Sequence, residues 1–568
     1  MTTSFTRKLG SQAGVELRPV RDFTDGIVID NADQCFGIAM RSTRGRIDKA
    51  FPVTRDTFLQ KLGKPESLTS SPLNEAQIHV YEALKLGTYA AIVSRLVTSE
   101  AKNNQILALV DGTFGVEVEP VIEPKPAGTI NNLFKLKHLD CFNDGLIVEY
   151  NIQSKKVDGA FVPSSDIFLQ IKDPANLTVL SSFQGSLDPN AVDENGDSLW
   201  LPNVVSTNSL SVEVECDNVL VEVPIDHVAY GLDEKNQTKW AKSSVLIYFN
   251  EGGAAYVLAD YDNAINRLRK TEHGFEYIAT GGSTSSALIG LVDELAYEQN
   301  KSAKLDIPAD KNIEAAIMYV EQLGLRNGQY WQLMYHPYEC IDPLGLNGRI
   351  SLGSSTYNIA LCNQRNGYLN SLGFAPKQYV VAGKGDPQAG LNFTITRQGL
   401  KQLYNPSEYE LSLLADAGIV PVIHKTYNAG SMLVFADQLT AHKSKMSDMR
   451  NASVVERFAT MDKAVSAFAT EIQHFPMEKA LKSMYNFLAK YTSDMNASSW
   501  LKPVQKQAGM DELKRISGDE SSHYRFGNNF YAFIVKRDGI LPNERYHVEY
   551  AISYDGNARQ VILSQSLV

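Results

Sequence analysis

The chain has 568 residues, 43% of them hydrophobic and 21% charged, which is ample material for packed cores and unlike a disordered or linker-like composition. Lys and Arg number 54 against 65 Asp and Glu, a formal charge of −11. Duplex-DNA binders carry a basic excess or a basic stripe, so nucleic acid is not the expected partner; nor does any apolar run approach the roughly 18 residues of a membrane-spanning helix.

Residues 1–20 are polar with no helical stripe and read as an extended arm. Ile27-Val28-Ile29 and Phe36–Met40 have the texture of short buried strands, and Thr43-Arg-Gly-Arg46 that of a turn. Asn74–Leu86 is expected to be a helix with Ile78, Tyr81, Ala83 and Leu84 on its apolar side, stopped by Gly87. Strands are expected at Tyr89–Val93 and Ile106–Val110.

From 113 to 244 the pattern is β-rich. Val116-Glu-Val-Glu and Ile167–Ile171 alternate. Leu210–Cys216 and Val219–Val223 flank Asp217-Asn218, which predicts a hairpin with one wet face. The acidic run Asp188–Asp197 offers Asp188, Asp193, Glu194 and Asp197, but lacks the order of a calcium loop and reads as solvated.

Helices and strands alternate again from 245 to 420. Strands are expected at Val245–Phe249, Tyr330–Tyr335 and Tyr379–Ala382, and helices at Ser285–Glu298 and Ile313–Leu323, a layered α/β arrangement. Val454, Phe458, Met461, Val465, Phe468 and Ile472 then form one continuous helical stripe. Phe475-Pro476 breaks it, and Met477, Leu481, Met484 and Leu488 begin a second, so two amphipathic helices should share a core. Arg450 and Arg457 lie off the first stripe and, with Lys443, Lys445 and Lys463, make a local basic excess. The chain closes with a strand-like Tyr546–Tyr554, the turn Asp555-Gly-Asn and the apolar stretch Gln560–Val568.

No catalytic, cofactor or metal site is expected. The five cysteines (Cys35, Cys141, Cys216, Cys340, Cys362) are scattered, as befits reduced structural thiols, and the polar N-terminus predicts no secretory signal. Gly281-Gly-Ser-Thr284 before a helix could cradle an anion, though Ser283 or Ser285 serves equally well as a cap. Gly383-Lys-Gly-Asp386 lacks the helix that a phosphate loop requires. His336, with Glu339 and Cys340 nearby, has the most catalytic-looking setting, but a lone strand-end histidine is ordinarily structural.

Several segments carry a common likeness. These are Phe36–Thr54, with its strand and arginine-glycine turn; Phe58-Leu-Gln-Lys-Leu-Gly63; and the helix, glycine turn and strand of Asn74–Leu96. Ser186–Asp188 to Asn203–Ser209, Thr280-Gly-Gly-Ser283, Phe374-Ala-Pro376, Leu439–His442, Met449–Phe458 and His474-Phe-Pro-Met477 follow in order. Together they resemble the contractile tail sheath proteins of bacteriophages and related injection machines. The proline-glycine-valine-tyrosine start common in that family is missing, and His474 stands where a glutamate is usual.

The resemblance implies a discontinuous, multi-domain α/β (α+β) sheath-type body: a first part at 21–112, a β-rich inserted domain at 113–244 facing outward, a middle domain at 245–420, a tube-facing domain at 421–545, an N-terminal arm at 1–20 and a C-terminal β arm at 546–568. It implies a non-enzymatic subunit of the virion, assembled in the host cytoplasm as stacked hexameric discs around a tail tube. Its partners would be itself, the tube protein and the baseplate and tail terminator proteins, with no nucleic acid and no membrane insertion. Lys443, Lys445, Arg450, Arg457 and Lys463 become candidates for tube contact. Val561, Ile562, Leu563, Leu567 and Val568 become candidates for strand addition to a neighbouring subunit. Two alternatives stand beside this: an α/β enzyme with an accessory β domain using the Gly281-Gly282 loop, and the sheath of a non-phage injection system.

Overall fold

A computed structural model describes residues 31–109, 114–118, 132–153, 155–157, 160–162, 164–222, 240–249, 251, 255–379, 393–427, 430–517 and 523–556. The strand expected at 27–29, residues 1–20, the Gly383 segment and the candidate arm 561–568 lie outside them. The elements that matter below run in chain order β1 (Cys35–Met40), α1 (Glu75–Lys85), β2 (Ala90–Arg95), β3 (Asn104–Leu109), β4 (Phe114–Val118), β5 (Asn132–His138), β6 (Leu146–Gln153), β7 (Asp166–Lys172), β8 (Val179–Ser186), α2 (Leu201–Asn208), β9 (Val212–Glu215) and β10 (Trp240–Ile247). They continue with β11 (Tyr277–Ala279), α3 (Ser286–Glu298), β12 (Ser302–Ile307), α4 (Ile313–Leu323), β13 (Trp331–Tyr335), α5 (Ser355–Asn366), β14 (Ile419–Tyr427), β15 (Gly430–Phe435), α6 (Ala452–Glu471), α7 (Met477–Ala497), α8 (Gln507–Ser517), β16 (His523–Gly527), β17 (Tyr531–Arg537) and β18 (Tyr546–Ile552). The chain is a mixed α/β protein of two compact units, and each unit is assembled from separate stretches of sequence.

The first unit holds residues 41–66 and 94–272, wider than the 113–244 insert expected from sequence. It is a β-sandwich. One sheet has the order β8-β7-β6-β10 and the other β9-β5-β3-β4. Alternate residues of both point into one core: Ile167, Leu169 and Ile171 from β7, Val148 and Tyr150 from β6, Phe134 and Leu136 from β5, and Ile106 from β3. Tyr150 meets Phe114 and Phe134 edge to face, with ring centres 5.5 and 5.4 Å away. The outward residues alternate with these, as expected for packed antiparallel sheets.

The hairpin expected around Asp217-Asn218 does not form. β9 instead pairs antiparallel with β5, Val212 opposite His138 and Glu215 opposite Lys135. This register sends Val212 and Val214 into the sandwich core and sets Glu213 and Glu215 opposite Lys137 and Lys135. Opposite charges across a ladder and two buried valines outweigh a local turn; Val219 and Leu220 remain about half exposed. The acidic run is shaped by its own carboxylates: Asp193 Oδ1 accepts from the Asn195 and Asp197 amides at 2.8 and 2.9 Å.

The second unit takes in residues 31–40, 67–93 and 273–556. Its main sheet runs β2-β1-β11-β12-β13-β14-β15. β1, β11, β12, β13 and β14 are mutually parallel, and β15 closes the edge antiparallel to β14. β12 and β13 are buried almost throughout, which suits central parallel strands covered on both faces. α1 is buried on more than the expected stripe, since Gln77, His79 and Glu82 are inside as well as Ile78, Ala83 and Leu84.

The C-terminal part of this unit is helical on both sides of a small sheet of order β16-β17-β18. Met461 and Val465 of α6, and Leu481, Met484 and Leu488 of α7, share a core with Tyr531, Phe533 and Val535 of β17. The intervening Ala532 and Ile534 point the other way, onto Leu513 and Ile516 of α8. Covering both faces explains why 531–535 is an unbroken apolar run rather than an alternating one.

Candidate functional site

The arginine-glycine turn of the first unit is built around two guanidinium groups. Gly45 adopts φ +128°, and a Cβ there would lie 2.5 Å from the Phe51 ring. Arg95, fully buried, holds the turn by donating to Gly45 O at 2.9 Å, Cys141 O at 2.6 Å and Asn143 Oδ1 at 2.9 Å. Burial without a carboxylate partner lowers its pKa. Arg44 packs over the Phe142 ring and bridges Asp144 and Asp173 at 2.7 and 2.8 Å. These contacts fix loops, and no reacting group is held among them.

The crevice at the carboxyl ends of the parallel strands is where an α/β enzyme would bind its ligand. Gly281 and Gly282 follow β11 with φ +60° and +77°. A Cβ on Gly282 would lie 2.5 to 2.7 Å from the Glu75 carboxyl group, so the loop faces a negative group rather than an anion-sized space. Ser285 caps α3, its Oγ accepting from Leu288 N at 3.4 Å. The cavity beside it, about 310 Å³, is lined by Glu75, Asp306 and Asp310 as well as His336. Asp306 is already committed, accepting from the amides of Ser354 and Ser355 at 2.6 and 2.7 Å. His336 is buried and donates Nδ1–H to Leu352 O at 3.1 Å. Burial and the nearby Arg397 hold its pKa well below the ordinary histidine range, while burial raises that of the Cys340 thiol. A neutral histidine, a protonated thiol and an acidic wall do not make a phosphate cradle. Among the described residues no group of side chains suits a metal ion, and no helix is long and apolar enough to cross a membrane.

The basic candidates separate into two kinds. Arg450 lies in a short turn before α6, not on it, because Asn451 caps the helix by accepting from Ser453 N at 3.0 Å. It is buried and donates to Ala415 O and, at 3.0 Å, to Asp416 O. Arg457 is 1% exposed, lies over the Trp500 ring and donates to Asp555 O. The expected basic face thus loses both arginines to the interior, where backbone carbonyls near helix and chain turns accept from them. Lys443 and Lys445 are exposed, Lys445 pairing with Asp416 at 2.7 Å, and Lys463 is half-buried against Glu276.

Sequence reasoning missed the most extensive buried polar network. α5 is buried nearly all round, although Asn358, Asn363, Arg365 and Asn366 give it no apolar stripe. Arg365 pairs with Glu456 of α6, and Tyr277 donates to that carboxylate at 3.1 Å. Lys304 reaches Asn358 Oδ1 at 2.6 Å, and Tyr379 donates its hydroxyl to Glu456, while residues 380–382 of the strand expected there lie outside the described residues. The one signal available was an acidic residue beside an arginine on the buried side of a helix. The C-terminal sheet is the other feature of note. β16 and β18 are each bonded on one side only among the described residues, both to β17.

No family model and no curated protein matches the chain. Among solved structures, the fold is similar to the sheath tail protein from Desulfitobacterium hafniense, at 11% identity and a TM-score of 0.42 over 96% of this chain and 100% of the other. It is also similar to a chain of the anti-feeding prophage baseplate, at 12% identity and a TM-score of 0.38 over 57% of this chain and 76% of that one. A chain of the same baseplate in its contracted state gives 10% identity and a TM-score of 0.36, over 57% and 80%.

Proposed function

We propose that the chain is a structural subunit that polymerises as a helical contractile sheath around a phage tail tube, and contracts to drive the tube through the host envelope for genome delivery. The observation that carries this reading is the small C-terminal sheet: a central strand buried on both faces, flanked by two strands with one open edge each among the described residues. An open edge is a template for a strand from another chain. The ordered resemblance along the sequence supports the same conclusion.

The candidate arm fits that role energetically. Ordering the eight residues Val561–Val568 costs about 8–16 kcal/mol of backbone entropy. Ladder hydrogen bonds return about 1 kcal/mol each, and buried Val561, Leu563, Leu567 and neighbours about 1.5–3 kcal/mol apiece. The terms nearly cancel, so single arms engage weakly while a lattice of them is cooperative. Head-to-tail contacts of this kind give open helical polymers. The exposed lysines Lys443 and Lys445, with Lys463, are the proposed tube contacts.

Negative-stain microscopy of the purified protein tests the reading. Tubes or stacked discs are expected; discrete particles at every concentration and salt would overturn it.

A further inference from the structure

Between α6, α7 and residues 369–377 lies a pocket of about 620 Å³, a size that accommodates a small organic ligand. Its walls are aromatic. Phe374 meets Trp500 edge to face with ring centres 4.9 Å apart, lies 5.1 Å from Tyr491, and Tyr491 stacks on Phe487 at 5.5 Å. The Trp500 indole N–H donates to Ala375 O at 3.0 Å, which fixes its ring.

One of the lysines lining the pocket is buried. Lys377 lines the pocket and is only 2% exposed; its ammonium makes no hydrogen bond or close ion pair among the described residues, and the carboxylates that act on it from a distance are Glu276 and Glu456. Its backbone is held at φ +50°, a conformation a lysine adopts only when its surroundings enforce it. A buried ammonium is costly unless something pairs with it. The other lysine near the floor, Lys463, is already on Glu276. Lys490, Asp33 and Asp494 stand at the more open rim. At the buried end two lysines, Lys377 and Lys463, face one lining carboxylate, Glu276, which leaves a single net positive charge there, while the mouth is mixed.

We propose that this pocket binds an amphipathic organic anion: a flat aromatic body lying against the wall formed by Phe374, Tyr491 and Trp500, carrying a single negative group that pairs with the Lys377 ammonium. The rim carboxylates of Asp33 and Asp494 disfavour a second negative charge. The assignment is independent of the assembly reading above.

Fluorescence titration with 1-anilinonaphthalene-8-sulfonate, and with neutral N-phenyl-1-naphthylamine as its uncharged counterpart, tests this on the full chain. The sulfonate should bind saturably at one site, and Lys377→Met should weaken it by about tenfold or more, the loss of one charge-assisted contact. The neutral dye should bind Lys377→Met as it binds the wild type, and Lys377→Arg should retain the sulfonate. Ala464→Trp, which fills the pocket from α6, should abolish both. Absence of saturable sulfonate binding to the wild type would overturn the assignment. So would equal sulfonate affinity in Lys377→Met, or undiminished binding in Ala464→Trp.

Discussion

Arg397 grips Glu82 through two parallel hydrogen bonds, Nε to Oε1 at 2.8 Å and Nη2 to Oε2 at 2.6 Å, across 315 residues of sequence. The same guanidinium donates to Leu352 O at 2.8 Å and Gly353 O at 2.6 Å. One buried side chain thus ties α1 to two loops distant in the chain. A buried pair of this geometry is costly to break from one side, because the remaining charge is left without a partner. Glu82→Met or Arg397→Met should each destabilise the second unit by about 3–5 kcal/mol. The double variant Glu82→Met with Arg397→Met should cost clearly less than the sum. Urea unfolding of the three variants measures this, and strict additivity would mean the pair is not coupled.

Glu456 gives the fold an acid-sensitive joint. Burial alone would raise its pKa, but Arg365 foremost, then Lys377 and Lys304, with the Tyr379 hydroxyl, bring it down to about 2. A depressed carboxylate stabilises the fold fully above its ordinary pKa of 4.5 and loses that contribution as pH falls towards 2. The contribution is on the order of 3 kcal/mol. Glu456→Gln should therefore be less stable than the wild type at pH 7, with the gap narrowing between pH 5 and 2. Denaturant midpoints measured across that window would show it; parallel pH profiles would not fit.

Gly45 is required by its backbone. At φ +128° and with the Phe51 ring 2.5 Å from a would-be Cβ, Gly45→Ala should cost about 1–3 kcal/mol. Because Arg95 holds the carbonyl of Gly45, slowed folding or a lowered melting temperature should appear with Arg95→Met as well. A Gly45→Ala protein as stable as the wild type would contradict the strained turn.

The two kinds of basic residue should respond differently to mutation. Lys443→Glu with Lys445→Glu should leave folding unchanged and weaken assembly on the tube, most visibly at low salt, since exposed pairs contribute only about 0–1 kcal/mol each. Arg450→Met and Arg457→Met should instead lower stability by about 1.5–3 kcal/mol through lost hydrogen bonds to backbone carbonyls. Co-sedimentation with tubes and thermal unfolding separate the two effects.

What the sequence disclosed followed its apolar spacing. The burial of the α6 stripe at Val454, Met461 and Val465, the break at Pro476 and the restart at Leu481 are all present, and Leu481 shares one core with Met461 and Val465. So are the alternation of β7 and the apolar run of β13. What escaped was burial achieved with polar partners. α5 has asparagines and an arginine where a stripe would be sought, and each is bonded to a residue far away in the chain. Charge also misled: Arg450 and Arg457 are indistinguishable in sequence from surface lysines, and only the carbonyls of Ala415, Asp416 and Asp555 draw them inside. At Asp217-Asn218 a local turn signal gave way to a distant partner, β5, that offered both a core and opposite charges.

The central claim is that subunits are linked by strands added at open sheet edges. The most direct measurement compares the full chain with one ending before Val561, using analytical sedimentation and electron microscopy at matched concentrations. The truncated protein should fold with an unchanged melting temperature and stay as single subunits while the full chain forms tubes. Tubes of normal length from the truncated protein would contradict it.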